Sequence, residues 1–158
     1  MNNLIFSSEN LFITFLASIL IWLMFAALLF VWVKNKRVRK DTAIRAFLSA
    51  LIAWSVAEII KMIISVPRPY EITGYSPLTA TVPGTNSFPS THSAVAAALA
   101  TSLFLREKSI GIYFVMGAVG VAVGRILSNV HYIFDVIVGI WIGIVVGFVS
   151  SKVGIKRK

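Results

Sequence analysis

The 158-residue chain contains no cysteine, which excludes disulfides, thiolate metal sites and cysteine nucleophiles. Charge is scarce as well: Asp, Glu, Lys and Arg make up 13% of the residues, and only six are acidic. Histidine occurs twice, at His92 and His131. Proline is missing outside one 23-residue stretch that holds Pro67, Pro69, Pro77, Pro83 and Pro89. The balance is apolar. Hydrophobic residues reach 58%, and a mean hydropathy of +0.86 lies far outside the soluble range, marking an integral membrane protein. The length fits one compact helical domain over residues 1–158, with no room for a second.

A net charge of +9 would suit nucleic acid, but its distribution argues against that partner. Of 15 basic residues, six lie within 34–45, two are Arg106 and Lys108, and four are Lys152, Lys156, Arg157 and Lys158. These twelve sit between apolar runs or at the chain end, where positive residues hold connections in the cytoplasm. Contact with anionic membrane lipids follows from the same placement. The other three are Lys61, Arg68 and Arg125, each close in sequence to a proline, a histidine or an acid.

Residues 11–33 carry no charge and form a membrane helix. The flank before them has no Lys or Arg and does not resemble a cleavable signal peptide. Further apolar segments cover about 42–65, 90–105, 109–127 and 132–151. The expected fold class is therefore all-α, an integral membrane helical bundle with five transmembrane helices. Five spans put every positive connection on one side and every polar motif on the other. That places the protein in the cell (inner or plasma) membrane, N-terminus out and C-terminus cytoplasmic, with the site at the outer face. The outer loop, 66–89, gathers all five prolines with Gly74 and Gly84 and reads as an ordered, non-helical functional cap. Gly120 and Gly124, and the row Gly139, Gly143 and Gly147, let helices approach closely in lipid. They are expected to pack the chain's own helices, a homodimer seam being the alternative.

Three polar clusters remain. Lys61 and Arg68 are seven apart, roughly 10 Å on a continuous helix and too far to hold one phosphate. Pro67 and Pro69 disfavour helix at the residues before them, so the chain turns and Arg68 folds back over Lys61. Arg offers a bidentate fork for phosphate oxygens and Lys a mobile point charge. Pro89-Ser90-Thr91-His92 precedes an alanine-rich run. Ser90 is a good N-cap, the helix start aims N–H groups and a positive dipole end at the outer face, and His92 is placed to protonate a leaving oxygen. His131 and Asp135, four apart on a helix, share one face. A carboxylate on one ring nitrogen fixes the tautomer and leaves the other nitrogen as nucleophile. Arg125 precedes this pair by six residues. Charges at the ends of membrane helices are functional candidates by default. Glu58, three residues before Lys61, reads as its structural salt-bridge partner, with a substrate-gate role as the minor reading.

KMIISVPRP at 61–69, PSTH at 89–92 and GRILSNVHYIFD at 124–135 resemble the motifs of the type-2 phosphatidic acid phosphatase superfamily, membrane lipid phosphatases. That pattern is Lys, six residues, Arg-Pro; Pro-Ser-Gly-His; then Ser-Arg, five residues, His, three residues, Asp. Every spacing and the order are met, over roughly two-thirds of the chain. The resemblance implies that His131 attacks phosphorus and carries a phosphohistidine, that Asp135 orients it, and that His92 protonates the leaving group. Lys61, Arg68, Arg125, Ser90, Thr91 and the amides after Ser90 would hold the equatorial oxygens. It also implies metal-independent catalysis with no cofactor, and a lipid phosphate as substrate.

Three departures stand out. Thr91 replaces the usual glycine, Gly124 replaces the usual serine, and five spans replace the usual six. None removes a charged catalytic residue. The candidate substrates are undecaprenyl or another polyprenyl diphosphate, phosphatidic acid, phosphatidylglycerol phosphate and lipid A phosphate, the short outer loop favouring polyprenyl diphosphate. The other functions weighed are a lipid-to-lipid phosphotransferase using the same phosphohistidine, and a non-enzymatic small transporter or scaffold. A metal-dependent hydrolase with His92, His131 and Asp135 as ligands is disfavoured because three neighbouring cations would repel the ion.

Overall fold

A computed structural model of the chain describes residues 8–35, 38–84 and 86–152. The apolar runs form helices, as hydrocarbon requires of any segment whose backbone polar groups must bond internally. Four are long and apolar enough to cross a membrane: α1 (Asn10–Lys34), α2 (Lys40–Ile63), α5 (Lys108–Leu127) and α6 (Ile133–Lys152). Between them lie α3 (Pro69–Thr73) and α4 (Thr91–Phe104). Four rather than five therefore meet the length for a span. At 14 residues α4 is about 21 Å long, short of the roughly 30 Å hydrocarbon core. It is nonetheless the centre of the bundle, packed by α2, α5 and α6 and buried along almost its whole length. Protein rather than lipid surrounds it, so the hydrocarbon thickness does not set its length.

Small residues make that burial workable. A Cβ on Gly139 or Gly143 would overlap the carbonyl oxygens of Ser90 and Ala94, and one on Gly147 would lie 2.8 Å from Thr101 Cβ. The glycine row of α6 therefore seats on α4 of its own chain, backbone against backbone. The positively charged end is tied together too. Arg106 lies 3.5 Å from Asp41 and donates to the Ser151 carbonyl at 2.7 Å. Arg45 donates to Ser150 O at 3.0 Å, so cations satisfy the last carbonyls of α6.

The loop after α2 is ordered, but it is not wholly non-helical. Ile64 already has an extended backbone, three residues ahead of Pro67. Pro69 then starts α3 at a position where its missing N–H costs nothing, and Glu71 Oε2 accepts the Arg68 N–H at 2.8 Å. Gly74, at φ 73°, ends that turn in the left-handed conformation. Beyond it the loop is pinned by Leu78 N–H on Ser128 O (3.0 Å), Ala80 N–H on Ser18 Oγ (3.1 Å) and Ser87 N–H on Val66 O (2.9 Å). It lies over the end of the bundle opposite the Asp41–Arg106 pair.

Candidate active site

The loop, α1, the ends of α2 and α5, the start of α4 and the segment just before α6 meet around one cavity of 690 Å³. Lys61, Arg68, Thr91, His92, Arg125 and His131 all line it, together with Glu58. Two residues from the sequence reading sit differently. Asp135 is buried behind His131 rather than on the cavity wall. Ser90 occupies the N-cap position of α4 but makes no side-chain cap bond. Its hydroxyl pairs with Ser93 Oγ at 2.9 Å and its N–H donates to Asp135 O at 3.0 Å, facing α6 instead of the cavity.

His131 is the focus. It is 3% exposed and lies between α5 and α6. Its Nδ1 is 3.4 Å from Asp135 Oδ2, and the same carboxylate oxygen accepts the Tyr132 N–H at 2.9 Å. Its Nε2 faces Arg125 Nη2 at 3.3 Å and Arg68 Nη1 at 3.4 Å. Guanidinium groups only donate, so Nε2 must carry the lone pair and Nδ1 the proton. Burial, with the two arginines adding to it, pushes the His131 pKa down to about 4 although the Asp135 bond works the other way. The ring is therefore neutral at physiological pH, with a nucleophilic nitrogen aimed at the cavity.

Both arginines are buried and fixed through carbonyls rather than carboxylates. Arg68 donates to Val130 O at 2.9 Å and, through Nε, to Gly84 O. Arg125 donates to Ala17 O at 3.0 Å. Two desolvated cations thus converge on one neutral nitrogen, a geometry that is costly unless an anion joins them. The free lone pair of His131 points between these two positive groups. These carbonyl partners, and the contribution of α1 through Ala17, are what sequence reasoning missed. Backbone acceptors leave no residue-type signature, and Gly124 in place of serine was the one trace of α1's approach.

The cavity does not end at the polar cluster. It runs down between α1 and α2 past Trp22, Trp54, Phe25 and Phe47. A second, apolar cavity of 430 Å³ shares Phe25 and Phe47 and continues to Trp32 and Ile44. Between them the two cavities border α2 from Lys61 to Ala43, about 27 Å of helix and close to the thickness of the hydrocarbon core.

In sequence and fold the chain is similar to known proteins. The sequence model of the PAP2 superfamily matches residues 42–158. An undecaprenyl-diphosphatase of Sulfolobus acidocaldarius is 30% identical over 134 residues, 84% of this chain and 63% of that protein. The chain thus spans a little under two-thirds of that relative's length. Among solved structures, LpxE of Aquifex aeolicus superposes with a TM-score of 0.75 at 28% identity, covering 96% of this chain and 90% of that one. The first transmembrane PAP2-type phosphatidylglycerolphosphate phosphatase from Bacillus subtilis shares the fold, with a TM-score of 0.56 at 22% identity over 91% of this chain and 68% of that one.

Proposed function

The chain belongs to the PAP2 superfamily, and from that premise we propose that it is a membrane phosphatase cleaving a lipid-linked monophosphate or diphosphate through a phosphohistidine at His131. The observation that carries the proposal is the pair of buried guanidinium groups, 3.3 and 3.4 Å from His131 Nε2, in a cavity whose apolar end adjoins a second apolar groove along α2. The polar end suits a phosphate and the groove suits its hydrocarbon tail.

In the first half-reaction His131 Nε2 forms a bond to phosphorus while the bond to the lipid or phosphate leaving oxygen breaks. His92, on the same cavity wall, takes up a proton with the incoming phosphate, whose negative charge offsets Lys61, Arg68 and Arg125, and passes it to that oxygen. Asp135 keeps the Nδ1 proton in place and stabilises the positive charge that develops on the ring. Lys61, Arg68 and Arg125 carry the charge of the equatorial oxygens, doing in this scheme what a metal ion does elsewhere. In the second half-reaction His92 takes a proton from water, the water oxygen bonds to phosphorus, and the P–N bond breaks to release phosphate.

The substrates named for the relatives, undecaprenyl diphosphate among them, define the first panel to try. In the proposed orientation the positive connections are cytoplasmic and the site faces the outer leaflet. Phosphate release from polyprenyl diphosphate, phosphatidic acid, phosphatidylglycerol phosphate and lipid A phosphate by detergent-purified protein tests the reading. Release from at least one, abolished in His131→Ala, is expected. No release from any of them would overturn it.

A further inference from the structure

Lys61 does not face the cavity alone. Its ammonium donates to Thr91 Oγ1 at 2.7 Å and lies 3.3 Å from Glu58 Oε1. Thr91 Oγ1 in turn lies 2.7 Å from the same Glu58 oxygen. An ammonium has no lone pair and a hydroxyl has one proton, so the chain of bonds has a fixed direction. It runs from Lys61 to the Thr91 hydroxyl and from that hydroxyl to the Glu58 carboxylate. Two of the three ammonium N–H groups are then engaged, and one is left for a ligand in the cavity that all three residues line.

Thr91 is where the sequence departs from the family motif, and Glu58 lies outside every motif. A carboxylate beside a phosphate-gripping lysine is at first sight a liability, because it competes with the phosphate for the ammonium. The hydroxyl changes that competition. It supplies Glu58 with a short hydrogen bond and takes one from Lys61, so the ammonium's own contact with the carboxylate stays at 3.3 Å, looser than the roughly 2.7–2.9 Å of a closed ion pair. We propose that Thr91 and Glu58 are a positioning pair for Lys61, the hydroxyl occupying the carboxylate so that the ammonium stays directed at a bound phosphate. The roles of the two residues are then inseparable. Without the hydroxyl, Glu58 becomes an inhibitor of the site; without the carboxylate, the hydroxyl has little left to do. The inference deepens the phosphatase reading and rests on it for its catalytic consequence, although the anion contact itself is independent of turnover.

The test is a double-mutant cycle on the full chain in detergent, with inorganic phosphate as the probe and its dissociation constant read by calorimetry. Thr91→Val removes the hydroxyl at constant shape and is expected to weaken phosphate about tenfold, the scale of one hydrogen bond to a charged group. Thr91→Ser keeps the hydroxyl and recovers most of that loss. In the Glu58→Gln background the same Thr91→Val change costs less than about threefold, because Lys61 has no carboxylate to close onto. Thr91→Ala supplies a second route through the cycle should Thr91→Val not fold. With the best lipid substrate, KM is expected to follow the phosphate constant while kcat moves less. Equal losses with and without Glu58 mean that Thr91 acts by packing alone and overturn the inference. Strong coupling for phosphate with no lipid hydrolysed leaves the inference standing and removes the phosphatase reading. Failure of the unmodified protein to bind phosphate removes both.

Discussion

Arg125 reaches from α5 to the backbone of α1, its Nη1 donating to Ala17 O at 3.0 Å. The contact falls in a π-helical turn, Phe15–Ile19, and the next side chain along, Ser18, accepts the Ala80 N–H of the outer loop. Such wide turns are frequent at functional sites. One turn of α1 therefore steadies both a phosphate-facing arginine and the loop that carries Arg68. Gly124 makes the approach feasible, since a Cβ there would lie 2.6 Å from the Ala17 nitrogen and the Leu16 carbonyl carbon.

Restoring the family's serine at this position should consequently harm this protein. Gly124→Ser pushes α1 away, at an overpacking cost of about 1–3 kcal/mol, and breaks the Arg125–Ala17 bond. The expected result is a lower midpoint of thermal unfolding in detergent and an activity loss of about tenfold or more. A Gly124→Ser protein with unchanged melting and turnover would show that α1 does not support the site.

The two histidines should separate on an activated substrate. His131→Ala removes the nucleophile, so neither turnover nor phosphoenzyme is expected on any substrate. His92→Ala loses leaving-group protonation, a contribution of typically 100- to 10,000-fold. A nitrophenyl phosphate needs little protonation, so His92→Ala should keep measurable turnover on it. Asp135→Asn should fall between the two. Phosphate trapped on His92 would reverse the assignment.

Nitrogen-15 NMR of the imidazoles gives a direct check on His131. With its pKa pushed down to about 4, the ring should stay neutral, Nδ1-protonated, through pH 6 and take up a proton only near pH 4. The His131→Ala variant identifies the signal. The unfolded chain's histidine titrates near 6.5, so between these values the unfolded state binds more protons. Stability should therefore fall as the pH is lowered from about 6.5 to about 4, and His131→Ala should flatten part of that slope. A His131 signal titrating at 6.5 or above would contradict the tautomer derived from the two arginines.

Chelation and vanadate address the charge that drives the chemistry. Three cations already surround the phosphate position, so activity should survive EDTA. Vanadate, whose five-coordinate form imitates phosphorus under attack by His131, should inhibit. Loss of activity on chelation, restored by a divalent ion, would point to a metal site instead.

Topology is open to labelling in intact cells. Because α4, though short, still carries the chain from the cavity end of the bundle to the Arg106–Asp41 end, a tag at Met1 should be accessible from outside and one at Lys158 protected. The opposite pattern would move the site to the cytoplasmic face.

By itself the sequence determined the membrane class, the helical fold, and the motifs that bring Lys61, Arg68, His92, Arg125 and His131 to the cavity. Those features are written in residue type and spacing: long apolar runs, three motifs in order, and scarce charges at helix ends. It also marked Glu58 as a partner of Lys61, which the 3.3 Å contact bears out. Tertiary structure decided the rest. A 16-residue apolar run read as a fifth span is a 14-residue helix enclosed by its neighbours, because burial by protein relieves it of the length that lipid demands. Ser90 turned to Ser93 and α6, since the close seat of Gly139 on α4 leaves no cavity on that side. The carbonyls of Ala17, Gly84 and Val130 became the arginines' anchors. Every residue has a carbonyl, so only the path of the chain through space determines which of them meet a guanidinium.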